Sequence, residues 1–104
     1  MNANQMIDMF VEREFEVDGI EGTLKLRLGK PQPDPRIDWY CEYQIVGVSD
    51  EKIYKAYGVD SMQALLLALN AAKALLELYA RGEYKITWLG QDDFGLSMTK
   101  SSSD

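Results

Sequence analysis

The chain contains no histidine. That removes His-containing catalytic triads and His-based zinc sites, the usual near-neutral acid–base and metal chemistry. Cysteine occurs once, at Cys41. No intrachain disulfide and no thiolate cluster can form, so the disulfide framework of small secreted domains is excluded. Basic residues are outnumbered, 11 against 17 acidic, for a formal net charge of -6, and no three of them are adjacent. Nucleic-acid binding, which draws on Lys and Arg against phosphate, is therefore not expected. The opening MNANQMIDMF has no basic region followed by a long apolar run, unlike a signal peptide. The longest uninterrupted apolar stretch, residues 64–69, falls far short of a membrane span. A cytoplasmic protein with no membrane association is the expectation.

What remains is enough for a folded domain. At 104 residues with 46% hydrophobic and 27% charged side chains, one hydrophobic core is within reach without a metal or disulfide staple. A single domain over 1–104 is expected, with residues 100–104 a disordered polar tail.

Residues 9–17 alternate. Met9, Val11, Phe15 and Val17 share one phase, and Phe10, Glu12, Glu14 and Glu16 the other, the period of a half-buried strand. Asp18-Gly19 then predicts a two-residue hairpin turn, which places Val11 opposite Leu26, Phe15 opposite Gly22 and Glu12 opposite Lys25. Arg13 falls in the apolar phase; its stem can pack while its head reaches water, and a binding Arg is the alternative. All three prolines lie in residues 30–38, read as a semi-rigid surface loop. Residues 39–48 predict a third strand, with Trp39, Cys41, Tyr43 and Ile45 on one face and Tyr40, Glu42, Gln44 and Val46 on the other. Residues 52–57 predict a fourth strand of poor amphipathicity, as at a sheet edge.

Asp60 with Gln63 three residues later has the spacing of a capping box, and residues 61–81 hold no Pro or Gly. The apolar stripe is read as Met62, Leu65, Leu66, Leu69, Ala72, Leu76, Tyr79 and Ala80, with Gly82 as a left-handed stop. Its arc is wider than one sheet layer requires, so a C-terminal hairpin or a partner should cover the surplus. Residues 85–89 and 94–98, about a turn at 90–93, predict that hairpin. The sum is a two-layer α+β domain: an antiparallel four-stranded meander, one long helix across it, and a short C-terminal β-hairpin.

The chain resembles a family of small uncharacterised bacterial proteins of unknown function. The resemblance rests on Trp39-x-Cys41-x-Tyr43-x-Ile45, the run Gly58-Val59-Asp60-Ser61-Met62-Gln63-Ala64-Leu65, Trp88-x-Gly90 and Phe94-Gly95-Leu96. It implies no activity and no site residues. A weaker analogy of size, charge and fold simplicity is to toxin-immunity proteins, and fold alone does not fix function.

Candidate sites follow from chemistry. Glu12, Glu14 and Glu16 form a carboxylate ladder on one strand face, with Phe10, Tyr40 and Glu42 in the same phase. Like charges set together steer a basic partner. Asp92-Asp93 can serve a hard cation or acid–base work only if held in a cleft; as turn residues they cap nearby N–H groups. Cys41 reads as a buried small hydrophobe. The expected function is a non-enzymatic protein-binding domain without metal or cofactor. One form of it is an immunity- or antitoxin-like protein that covers a basic toxin domain through Phe10, Glu12, Glu14, Glu16, Tyr40 and Glu42. The alternatives are a homodimeric structural domain, joined through a free fourth-strand edge or surplus helix face, and a carboxylate-dependent enzyme using Asp92, Asp93 or Glu42.

Overall fold

A computed structural model describes residues 8–18, 22–47, 51–82 and 84–96. The elements are β1 (Met9–Asp18), β2 (Thr23–Gly29), β3 (Gln32–Asp34), β4 (Asp38–Val46), β5 (Ile53–Gly58), α1 (Ser61–Arg81) and β6 (Lys85–Thr87). All pairings are antiparallel. β5 pairs along one side of β4, while β2 and β3 pair at successive positions along its other side. The open sheet therefore runs β6, β1, β2 with β3, β4, β5, and α1 crosses one face. This is the expected α+β architecture, an antiparallel sheet under one long helix.

The sequence period decides which residues meet α1. Phe15 faces Leu24, Arg13 faces Leu26 beside Ile45, and Val11 faces Leu28 beside Tyr43 and Tyr54. Phe15, Val17, Leu24, Leu26, Ile45, Ala72, Leu76, Ile86 and Phe94 make the main core cluster. Leu28, Cys41, Ala64 and Ala68 make a second under the first turns of α1. The outer face carries the rows Glu14–Lys25–Val46, Glu12–Arg27–Gln44–Ile53, Glu42–Lys55 and Tyr40–Tyr57.

Several expectations are corrected. The β1–β2 register is offset by two residues from the two-residue turn: Val11 opposes Leu28 and Phe15 opposes Leu24. An even offset leaves every side chain on its expected face, so the patterning could not exclude it. The turn residues 19–21 lie outside the described residues. A β-bulge between Met9 and Val11 sets Met9 opposite Gly29 and leaves Phe10 as the unpaired extra residue. The alternation that gave Phe10 to the carboxylate face stops there. Residues 30–38 are not a plain loop. β3 pairs back onto β4, and the Asp34 carbonyl accepts from Ile37 N–H at 3.0 Å to close a tight turn. Pro33 is tolerated because β3 is a three-residue edge strand, paired among the described strands with β4 alone.

The helix matches its predicted bounds. Asp60 Oδ1 accepts from Gln63 N–H at 2.8 Å, and Gln63 Oε1 accepts from Val59 N–H at 2.8 Å. This is a capping box whose return bond reaches one residue further than expected. The buried line is Ala64, Ala68, Ala72 and Leu76, while Met62 and Leu66 of the expected stripe are exposed. Alanines face the sheet because β5 approaches closely: a Cβ on Gly58 would lie 2.5 Å from Ala64 N. Gly82 ends the helix with φ -91°, not in the left-handed region, and its N–H closes a short turn onto the Tyr79 carbonyl.

The C-terminal hairpin is also corrected. β6 joins the main sheet on β1, opposite residues 16–18. Trp88 and Gln91 bridge across a tight turn at Leu89-Gly90, and Phe94–Leu96 returns without strand pairing. Met98 and the tail 100–104 lie outside the described residues.

Candidate functional site

The carboxylate ladder is present, and it is already engaged. Arg27 Nε donates to Glu12 Oε1 at 2.8 Å. Thr23 Oγ1 donates to Glu14 Oε2 at 2.9 Å. Glu16 Oε1 accepts from Thr87 Oγ1 at 2.9 Å and Gly90 N–H at 3.3 Å. Glu42 stands opposite Lys55, whose ammonium lies 4.6 Å over the Tyr40 ring. Tyr40 and Tyr57 pair at 6.5 Å. The outer face thus gathers Glu12, Glu14, Glu16, Glu42 and Tyr40 as expected, but interleaves them with Lys25, Arg27 and Lys55. It is a mixed, preordered surface with a small acidic excess.

The expected sites for chemistry disperse. Asp93 Oδ1 accepts from Gly95 N–H at 2.9 Å, the turn role. Asp92 borders a shallow hollow with Tyr84, Lys85 and Phe94. Glu42 lies on the open sheet face. Among the described residues no group of three His, Cys, Asp or Glu side chains is placed to hold a metal ion. Burial pushes the Cys41 thiol up to about 11, with the Glu42 charge adding to it, and Cys41 Sγ donates to the Gly29 carbonyl at 3.3 Å. A protonated, buried thiol is a poor nucleophile.

Arg13 has a structural partner that the sequence did not disclose. Its Nη1 donates to the carbonyls of Phe94 at 3.0 Å and Gly95 at 2.8 Å, and its guanidinium stacks 3.8 Å from the Trp88 ring centroid. Phe94 meets Phe15 edge-on at 5.5 Å. Arg13 therefore fastens the returning chain to the helix-side face of β1, and Leu96 follows along it.

Beyond that strap the face is open. α1 lies chiefly over β4 and β5, so among the described residues the start of β1 meets the helix only across the cavity that Leu69 borders. Met9, Phe10 and Val11 are 48%, 57% and 47% exposed. β6 pairs only residues 16–18 of β1, and no other described strand pairs the outer edge of residues 9–15. Beside this edge lies a cavity of about 140 Å³ lined by Val11, Leu26, Leu28, Leu69 and Leu96, with Glu12 and Arg13 at its polar side. Leu66 and Met62 continue the same flank of α1 and are exposed. Alternation had assigned Val11 to the core together with Leu28; Leu28 is buried there, and Val11 is not. The missing signal was the lateral offset of α1, which follows from alanine rather than leucine facing β5.

No curated protein and no solved structure matches the chain. A family model described as a domain of unknown function, DUF6968, matches residues 11–98. That span takes in every motif from Trp39 to Leu96 on which the resemblance rested. The chain therefore belongs to the DUF6968 family of domains of unknown function.

Proposed function

We propose that this chain is a non-enzymatic protein-binding domain that takes up an extended segment of its partner along the free edge of β1. The observation that carries the reading is the run Met9-Phe10-Val11, three consecutive exposed apolar residues on an edge that no described strand pairs, next to a largely apolar cavity that Glu12 and Arg13 also border. Exposed apolar edge strands invite pairing by another chain, and strand addition with alternate side chains in pockets is an established recognition mode. One face of an added strand would present its side chains to the cavity and to Leu66. The other would lie beside Glu12 and Glu14 and favour Lys or Arg there. The fitting partner segment thus alternates apolar and basic residues. An immunity-like role against a basic toxin domain is the form of this reading that the acidic excess favours.

The test is selection of displayed peptides on the immobilised full chain. Enrichment of alternating apolar and basic residues is expected, with binding lost in V11D and weakened in E12K/E14K and at high salt. Absence of enrichment, or binding that survives V11D, overturns the reading.

A further inference from the structure

The other flank of α1 is apolar as well, and nothing in the described chain covers it. Leu67 and Leu78 are 42% and 55% exposed, Ala74 is exposed and Ala71 half-buried. These four are spaced by four, three and four residues. On a helix that spacing is a straight seam of the kind that packs another helix. It lies away from the Leu69 flank that lines the cavity, on the side of β5, whose outer edge no described strand pairs.

We infer that a second copy of this chain occupies the seam, with the two α1 helices packed antiparallel about a two-fold axis. The seam reads the same in both directions: large, small, small, large. Antiparallel packing sets Leu67 against Leu78 of the second copy and Ala71 against its Ala74. A two-fold contact requires such a self-complementary patch, and alanines at the centre let the axes approach closely. Charge selects the direction. The seam itself carries no charge, so two chains of net charge -6 can meet there. At its ends stand Asp60, the helix N-cap, and Arg81 in the last turn. Antiparallel packing brings Arg81 of each copy toward Asp60 and Gln63 of the other and opposes the helix dipoles. Parallel packing would bring Asp60 against Asp60 and Arg81 against Arg81. Lys55 on the β5 edge discourages strand pairing on this side, leaving the helices as the contact. This contact is separate from the β1 edge proposed for the partner, and either can fail alone.

Sedimentation equilibrium of the full chain tests it. A species of twice 11.8 kDa is expected. L67E should weaken association about tenfold or more. L67E/L78K should restore it, because antiparallel packing places the opposite charges face to face. A71C mixed with A74C should oxidise to the mixed dimer in preference to either self-pair. Circular dichroism of each variant reports that the fold is kept, and V11D should dimerise like the parent chain. A monomer at every concentration, a dimer indifferent to L67E, cross-linking of A71C mainly to itself, or flotation of the chain with lipid vesicles in place of self-association overturns the inference.

Discussion

Arg13 shows how one side chain holds a segment that has no strand pairing of its own. Its two bonds to the Phe94 and Gly95 carbonyls are charge-assisted, and the ring of Trp88 covers its guanidinium. R13A should cost about 1–3 kcal/mol in urea unfolding and shift Trp fluorescence as the strap loosens. R13K should recover only part of this, since an ammonium has neither the planar fork nor the stacking face. Gly95 sits at φ +69°, and a Cβ there would enter the Trp88 ring. G95A is expected to loosen the same strap by about 1–3 kcal/mol. Cys41 carries a pH signature. Its folded pKa, raised from 9.0 to about 11, means the native state holds the proton more tightly than the unfolded chain. The stability this gives is complete below about pH 9 and is lost as pH rises toward 11. Alkaline urea titrations should show the decline, and C41A should flatten it. The thiol should also react slowly with Ellman's reagent at neutral pH until the chain is unfolded.

At the scale of elements, α1 was the most legible. Asp60, Gln63 and the run without Pro or Gly named its bounds, because capping is local chemistry within a few residues. D60A should lower stability by about 1 kcal/mol, read by thermal melting. The face that α1 buries was less legible. Leu65, Leu66 and Leu69 promised more apolar area than Ala64 and Ala68, but Gly58 brings β5 against the backbone of the first turn, and the fully buried positions there are alanines. G58A should therefore force the helix off β5, with a fall in stability of about 1–3 kcal/mol. β1 and β2 were legible as strands and faces. Their register was not, since a two-residue offset satisfies the same alternation. The bulge at Phe10 has no sequence mark at all. The carboxylates Glu12, Glu14 and Glu16 were placed correctly on one face, while their bonds to Arg27, Thr23, Thr87 and Gly90 depend on which strands became neighbours.

At the scale of the whole molecule, one displacement organises both proposed contacts. With α1 seated over β4 and β5, its Leu69 flank opens toward β1 and its Leu67 flank looks past the sheet edge. The two surfaces share no side chain. V11D and L67E should act independently, each removing its own association, with additive effects on stability in the double variant. Composition, charge and the two periodicities determined by themselves that this chain folds as an α+β sheet under one capped helix, and which face of each strand is apolar. Those are properties of neighbours along the chain, which hydrophobic burial reads directly. Only the tertiary structure decided where α1 lies across the sheet, what Arg13 holds, and which apolar residues stay outside. Those depend on how closely two backbones approach, and Gly58, Ala64 and Gly95 set that approach through contacts between segments distant in sequence.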